Sequence, residues 1–403
     1  MSTITEARFE QLLSSRAAIG RNASGGGAWP SAPTTYEFGG GKPDPGSFPY
    51  DGIVEATRTM MAAEGAQALT YGEPLGYKGL REVLAHKFDH FEGLQVSPDN
   101  FLLTNGSLHA ISLMISALVD QGDAVICEAP SFSGTLQVFR RHGADLRGVP
   151  IDNGGIVIEA VREQLTALRA AGRPCKLIYT MPTFHNPAGP TATIERRREL
   201  LALAREFETP ILEDDAYGDL RFEEDFIPSL YALDDSDMVI RAGTLSKILG
   251  AGMRLGWLLA PQALLPIFQS FNFGGGIAPF TSRVAAYYMR DHMTEHIPTL
   301  IDVYRNKRDA MYQGLTEVLD GTDAEVSKPA GGFFIWIKLP TDTDTAKLAQ
   351  FAREAGVGYV PGGAFMPNGG GERHIRLAFS YESEENCHAG SRHLAGAIRA
   401  AML

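Results

Sequence analysis

The sequence predicts a large α/β domain, with a mainly parallel sheet flanked by helices, followed by a smaller C-terminal α+β domain. Short, continuously apolar, β-rich runs recur between residues 101 and 259, and helical segments lie between several of them. Strands of this kind are typical of parallel sheets that helices cover on both faces. The length of 403 residues is enough for this organisation, since a domain commonly takes ~100–200 residues.

The elements follow in order along the chain. Residues 1–45 are rich in Gly, Ser and Pro and are expected to form an N-terminal arm. We expect residues 46–290 to form the large domain and residues 291–403 the small one. Strands of the large domain are predicted at 101–103, 124–127, 176–179, 210–212, 238–240 and 255–259. Helices are predicted at 108–119, 158–171, 194–207 and about 282–319. Strands of the small domain are predicted at 331–336 and 374–379.

Composition excludes several classes of protein. The chain has 36 Lys and Arg against 48 Asp and Glu, a net charge of −12, whereas a nucleic-acid-binding protein is expected to be basic. No apolar stretch approaches the ~20 residues of a membrane span, and no secretory signal is visible. The three cysteines form no Cys-x-x-Cys pair, which fits a reducing compartment. We therefore expect a cytoplasmic protein that binds neither nucleic acid nor a membrane.

The most informative segment follows the strand predicted at 238–240. Lys247 lies between hydroxyl residues, Thr244 and Ser246 on one side, and an arginine, Arg254, seven residues later. Most lysines are solvated surface charges, but a partly desolvated lysine has a lowered pKa and can form a Schiff base. Hydroxyls and a guanidinium suit a phosphate monoester. Together they indicate a site for pyridoxal 5′-phosphate.

That cofactor requires further groups, and the sequence supplies candidates at predicted strand ends. Asp214 could pair with the pyridine nitrogen, while Tyr217 and Asn186 could hold the ring 3-oxygen. Ser107 lies in a strand–turn–helix junction at residues 104–109 whose helix N-terminus could bind the phosphate, and Phe132 could cover the ring. Each is a common turn or cap residue when taken alone. Their joint position at strand C-termini, where open α/β sheets bind ligands, favours a functional site.

With these motifs the sequence resembles the fold-type I, pyridoxal-phosphate-dependent class I/II aminotransferases over residues 36–403. The resemblance is greatest to the branch of the α-aminoadipate/kynurenine aminotransferases and the aminotransferase-like domain of MocR-type regulators. It implies a catalytic lysine, Lys247, and the ring contacts proposed above. It further implies phosphate contacts from Ser107, the Leu108 amide, Thr244, Ser246, Arg254 and, from the neighbouring subunit, Tyr71. A homodimer with shared active sites is therefore expected.

The substrate contacts implied by the resemblance come from Arg376, Asn186 and the backbone around Gly40 and Gly41. A guanidinium can bind the substrate α-carboxylate through two hydrogen bonds and so fix the orientation of the Cα–H bond. Glycine permits a close approach of the backbone to the substrate. The predicted reaction is transfer of an amino group from an L-amino acid to a 2-oxo acid by a ping-pong route, with glutamate and 2-oxoglutarate as one pair.

Other functions remain open at this point. A pyridoxal-phosphate-dependent oxidase or β-lyase of a biosynthetic pathway would need a similar set of residues. A ligand-sensing regulator is less favoured, because the N-terminal arm is short and rich in Gly and Ser.

Three residues or motifs depart from the family pattern or compete with it. His185 stands where relatives carry an amide or a small polar residue, and either faces the substrate or bonds a backbone carbonyl. Leu108 replaces a polar residue common in the α-aminoadipate branch. The segment from His292 to His296 matches the zinc motif H-x-x-E-H, but it lies in a charged stretch far from the predicted strand ends. We expect a solvated helix face there and no metal site.

Overall fold

The computed structural model describes residues 11–14, 17, 34–223, 225–273 and 276–402. The helices are α1 (Tyr50–Ala68), α2 (Lys78–Glu92), α3 (Ser107–Leu118), α4 (Ser133–Arg141), α5 (Ile158–Ala170), α6 (Ile194–Phe207), α7 (Leu230–Leu233), α8 (Leu265–Ser270), α9 (Pro279–Leu319), α10 (Thr345–Glu354) and α11 (Glu384–Ala400). The strands are β1 (Tyr36–Glu37), β2 (Phe101–Thr104), β3 (Ala124–Ala129), β4 (Asp145–Asp152), β5 (Gly155–Ile156), β6 (Cys175–Thr180), β7 (Ile211–Asp215), β8 (Val239–Thr244), β9 (Gly256–Leu259), β10 (Glu325–Val326), β11 (Phe334–Lys338), β12 (Val357–Gly358), β13 (Val360–Pro361) and β14 (His374–Ala378).

The large sheet has eight strands in the order β2-β9-β8-β7-β6-β3-β4-β5. The central pairs from β8 to β4 are parallel, while β9 is antiparallel to both β2 and β8 and β5 is antiparallel to β4. The predicted, mainly parallel sheet flanked by helices is thus confirmed. Strands β4 and β5 were not predicted, because β4 lies near the sheet edge and carries several partly exposed polar residues.

Two apolar cores lie on the two faces of this sheet. On one face Tyr179 and Leu212 belong to the same core as residues of α3 and α4. On the other face Ile178 and Ile211 belong to a core shared with α5 and α6. Successive strand residues point to opposite faces, so the continuous apolar runs in the sequence follow from burial on both sides.

A smaller antiparallel sheet, in the order β10-β11-β14-β13, lies toward the C-terminus, and the long helices α9 and α11 pack against each other beside it. The chain just before residue 45 joins this region: β1 pairs in parallel with β12, and the Ala378 amide donates to the Phe38 carbonyl at 2.7 Å. Helix α9 runs through residue 290, where we expect the division between the two domains.

Helix α9 is 41 residues long, yet charged residues are spread along it. Across the described parts of the chain, no helix combines the length and the apolar content needed to cross a membrane.

Candidate active site

A cavity of about 170 Å³ lies where β6, β7 and β8 end and α3 begins. Its lining includes every cofactor-binding residue proposed from the sequence except Tyr71: Ser107, Leu108, Phe132, Asn186, Asp214, Tyr217, Thr244, Ser246, Lys247 and Arg254. Residues that sequence reasoning missed also line it: Gly106, Met181, Ala216 and Ala251. These four have small or apolar side chains without a chemical signature, so only the structure could identify them.

Lys247 follows β8 in a loop that is fixed from two sides. The Leu245 amide donates to the Leu255 carbonyl at 3.0 Å, and the His296 ring lies 2.7 Å from the Ile248 carbonyl through Nε2. Burial lowers the pKa of Lys247 to about 8, and the positive charge of Arg376 acts in the same direction. A substantial fraction of this amine is therefore neutral near physiological pH, and a neutral amine can act as a nucleophile.

A backbone carbonyl and two aromatic rings lie close to the Lys247 amine. Its Nζ donates to the Gly41 carbonyl at 2.9 Å and lies 5.5 Å from the ring centroids of both Tyr217 and Phe333. The Gly41 backbone itself is closely packed, because a Cβ there would lie 2.8 Å from Cζ of Phe334. The end of the N-terminal arm thus closes one side of the cavity, and only glycine fits at this position without displacing the ring.

Three consecutive acidic residues end β7, and only one has a free oxygen in the cavity. Glu213 points to the opposite face and accepts hydrogen bonds from the Leu230 and Tyr231 amides. Asp215 accepts a 2.6 Å hydrogen bond from Arg241. Asp214 lines the cavity, and its Oδ1 is buried without a hydrogen-bond partner among the described residues.

Burial raises the pKa of Asp214 to about 7. The nearby charges of Asp215 and Glu128 also raise it, whereas a hydrogen bond from Tyr179 and the charge of Lys247 lower it. An oxygen that is buried and unpaired costs free energy unless a ligand supplies a donor. This oxygen is therefore suited to a protonated ring nitrogen.

Two hydroxyl groups, the N-terminus of α3 and Arg254 form a polar cradle that lines the cavity. Gly106, the N-cap of α3, has φ +90°, and no side chain caps the helix there. A Cβ at this glycine would lie 3.2 Å from Nη2 of Arg254. The Thr244 and Ser246 hydroxyls lie 2.8 Å apart. Because helix N-terminal amides and a guanidinium both favour negative charge, this cradle suits a phosphate.

Arg376, on β14 of the small sheet, lies next to this cavity and is buried. Its guanidinium donates to Oδ1 of Asn186 at 2.9 Å and to the Gly39 carbonyl at 2.7 Å. The Cζ atom of Arg376 lies 4.2 Å from the ring centroid of Phe334 and 4.7 Å from that of Phe365. Burial lowers the pKa of Arg376 to about 10. Among the described residues no carboxylate pairs with this guanidinium, which is therefore available for a carboxylate ligand.

His185 is buried beside Asn186 and does not line the cavity. Its Nδ1 accepts a hydrogen bond from the Ala188 amide at 3.3 Å, and its Nε2 lies 3.1 Å from Oε2 of Glu128. The ring contacts a buried carboxylate and, among the described residues, no backbone carbonyl, so the second alternative raised from the sequence does not hold. Glu128 also accepts hydrogen bonds from Thr180 and from the Met181 amide.

Two other sequence features lie apart from the cavity. Tyr71 is 93% exposed and does not line the cavity of its own chain. The histidines of the H-x-x-E-H motif lie against Tyr288 and the Ile248 carbonyl. The part of the chain that the structure describes holds no cluster of three or more residues suited to a metal.

The cavity fits pyridoxal 5′-phosphate on the chemistry of its side chains. An amine of lowered pKa at Lys247, a free carboxylate oxygen at Asp214 and the cradle at the N-terminus of α3 lie in one cavity. The aromatic ring of Phe132 belongs to the same lining.

Comparisons with known proteins agree with this fit. The family model for aminotransferase class I and II matches residues 38–394. The aromatic-amino-acid aminotransferase 1 of Thermococcus litoralis is 35% identical over 90% of this chain and 88% of its own. The crystal structure of Pyrococcus horikoshii kynurenine aminotransferase, in complex with PMP, superposes with a TM-score of 0.89 at 32% identity, covering 97% of this chain and 98% of the other.

A third similar protein carries a ligand related to the cofactor. The structure of LysN, the α-aminoadipate aminotransferase of Thermus thermophilus, is complexed with N-(5′-phosphopyridoxyl)-L-leucine. It superposes with a TM-score of 0.87 at 28% identity and covers 98% of both chains. The protein described here therefore belongs to the class I and II aminotransferases and is an enzyme that uses pyridoxal 5′-phosphate.

Proposed function

We propose that this enzyme transfers an amino group from an L-amino acid to a 2-oxo acid by a ping-pong route, with glutamate and 2-oxoglutarate as one substrate pair. We further propose that it works in the cytoplasm as a homodimer. One observation carries the proposal: the Lys247 amine lines the same cavity as Asn186, which is hydrogen-bonded to the buried Arg376. A base for the α-proton and a group for the α-carboxylate are thereby brought together.

The cofactor-binding roles are proposed residue by residue. When bound, pyridoxal phosphate supplies the electron sink that makes the α-proton of an amino acid removable. Lys247 would hold it covalently, Asp214 would pair with its ring nitrogen, and Asn186 and Tyr217 would bind its 3-oxygen. Phe132 would cover the ring. Its phosphate would be bound by Ser107, the Leu108 amide, Thr244, Ser246, Arg254 and the partner chain's copy of Tyr71.

Lys247 would also move the proton. An amine with a pKa near 8 can both accept and return a proton at neutral pH, which is the condition for efficient acid–base catalysis. The aromatic rings of Tyr217 and Phe333 lie 5.5 Å from Nζ and would limit the access of water to it.

Arg376 would orient the substrate. Its two terminal nitrogens are held by Asn186 and the Gly39 carbonyl, so the fork is fixed before the carboxylate binds. A fixed guanidinium limits rotation of the substrate and keeps the Cα–H bond in one direction. Asn186 and Gly41 would complete the substrate contacts.

The experiment that tests this proposal is a panel of amino donors added to the loaded enzyme without an acceptor. Glutamate, α-aminoadipate, kynurenine and aromatic amino acids belong in the panel, the last three because the similar proteins are named for them. We expect at least one donor to convert the cofactor absorbance to that of the amine form, and a 2-oxo acid to reverse it. Oxygen consumption, or an absorbance change that no 2-oxo acid reverses, would contradict transamination.

The matched pair Lys247→Ala and Lys347→Ala controls this panel. Lys347 is exposed on α10, so its loss should leave the conversion unchanged. Lys247→Ala should reduce turnover to less than about a thousandth, because nucleophile and base are lost together.

A further inference from the structure

Tyr179 contacts the proposed cofactor-binding carboxylate from the neighbouring strand. In the parallel β6–β7 pair Tyr179 lies opposite Leu212, and the two-residue repeat of a strand puts the Asp214 side chain on the same face. The Tyr179 hydroxyl donates to Oδ2 of Asp214 at 2.7 Å. Tyr179 is fully buried, so this hydrogen bond does not compete with water.

Thr135, on α4, completes the arrangement. Its hydroxyl lies 3.1 Å from the Tyr179 hydroxyl and is also fully buried. Since Tyr179 has one proton and gives it to the carboxylate, the Thr135 hydroxyl donates to the Tyr179 oxygen. Hydrogen bonds in such a chain polarise one another, which strengthens the bond to the carboxylate.

The two oxygens of Asp214 therefore have different surroundings. Oδ2 is held by Tyr179, and Oδ1 is buried without a partner in the cavity. A carboxylate held through one oxygen has a fixed plane, so the direction of the other oxygen is fixed as well. The ring of Tyr179 packs edge-on against Phe139, and a phenylalanine could make that contact equally well; the hydroxyl is what sets the carboxylate.

We propose that Tyr179, supported by Thr135, is a positioning residue that directs Oδ1 of Asp214 toward the cofactor ring nitrogen and favours the ionised form of this carboxylate. The inference rests on the role of Asp214 in the proposed function and adds the residues through which that role is exerted.

The other charges near Asp214 make this hydrogen bond important. Asp215 and Glu128 both raise the pKa of Asp214, in addition to its burial, and Lys247 lowers it. The hydrogen bond from Tyr179 acts against burial. Without it, the pKa of Asp214 should rise further, and a smaller fraction of the carboxylate would be ionised at neutral pH.

The test is the pH dependence of cofactor affinity in Tyr179→Phe, measured by equilibrium dialysis of the full chain. A hydrogen bond to a charged group is commonly worth enough to change an equilibrium about ten-fold. We expect cofactor binding to be about ten-fold weaker at neutral pH, and the pH midpoint of affinity to move upward by about one unit. A purely structural effect would weaken binding equally at every pH, and that result would overturn the inference.

Tyr288→Phe is the matched control, because Tyr288 is a buried tyrosine whose hydroxyl makes no hydrogen bond to Asp214. Its midpoint should equal that of the unaltered protein. Thr135→Val should move the midpoint in the same direction by a smaller amount, and this variant decides the question if Tyr179→Phe does not fold. If the pH midpoint does not move in Tyr179→Phe, or in Thr135→Val where Tyr179→Phe does not fold, the inference is overturned.

Asp214→Asn separates this inference from the function on which it rests. If Asp214→Asn binds the cofactor as tightly as the unaltered protein, the proposed role of Asp214 fails and the inference with it. If Asp214→Asn weakens binding while Tyr179→Phe leaves the midpoint unmoved, only the inference about Tyr179 is overturned.

Discussion

Neighbouring residues of one type have different environments in this site. Glu213, Asp214 and Asp215 follow one another on β7, yet backbone amides bind the first and Arg241 binds the third. Only Asp214 keeps an unpaired oxygen in the cavity. Burial likewise lowers the pKa of Lys247 to about 8, far below that of a solvated lysine. At this scale the chemistry depends on which groups are desolvated and which are already paired.

The proposed role of Arg376 can be tested by substituting this one residue. Arg376→Ala removes the group proposed for the substrate carboxylate, and we expect kcat/KM for amino acids to fall roughly a hundred-fold or more. Arg376→Lys should recover only part of this loss, because an ammonium lacks the planar fork. Cofactor affinity should fall much less than kcat/KM in either variant, although Arg376 also contacts Asn186.

The control for this measurement is Arg353→Ala, since Arg353 is exposed on α10. Steady-state kinetics with the best donor of the panel compare the three variants. Unchanged kcat/KM in Arg376→Ala would remove Arg376 from the substrate site.

At the scale of elements, the ends of strands position the site. Strands β6, β7 and β8 end in the segments that carry Asn186, Asp214 and Lys247, and their parallel order brings these ends to one edge of the sheet. The local sequence predicts such strands and the polar residues that follow them. This is why ten of the residues that line the cavity could be proposed before the structure was known.

Contacts between distant elements could not be predicted in this way. The hydrogen bond between Tyr179 and Asp214 depends on the register of β6 against β7, and the contact of His185 with Glu128 depends on the pairing of β6 with β3. The sequence contains the residues but not the register. The Gly39 carbonyl that binds Arg376 was likewise unpredicted, because a backbone group has no sequence signature.

At the scale of the whole molecule, groups from both ends of the chain meet at the cavity. The Gly39 and Gly41 carbonyls come from the end of the N-terminal arm, and Arg376 comes from the small sheet. The remaining proposed group, Tyr71, is almost fully exposed, and the side chains of Leu69 and Phe273 are also largely exposed. Their exposure leaves these side chains free to contact a second chain, as the proposed homodimer would require.

Mixing two inactive variants tests whether the proposed dimer shares its sites. Tyr71→Ala should remove the proposed contact to the cofactor phosphate, and Lys247→Ala should remove the proposed covalent bond to the cofactor. Each protein alone should therefore have little activity. A mixed dimer would contain one site with both residues intact. After the two proteins are unfolded and refolded together, activity should rise to about a quarter of that of the unaltered enzyme. Activity no higher than the sum of the separate variants would contradict shared sites.

The amine at position 247 is expected to bind the cofactor covalently, and the proposed reaction depends on that bond. Borohydride reduction of the loaded protein, followed by proteolysis and mass spectrometry, measures this directly because the reduced linkage is stable. We expect the cofactor mass on the peptide that contains Lys247, and no labelled peptide from Lys247→Ala. A label on any other lysine, or a loaded protein that gives no labelled peptide, would show that Lys247 does not bind the cofactor covalently.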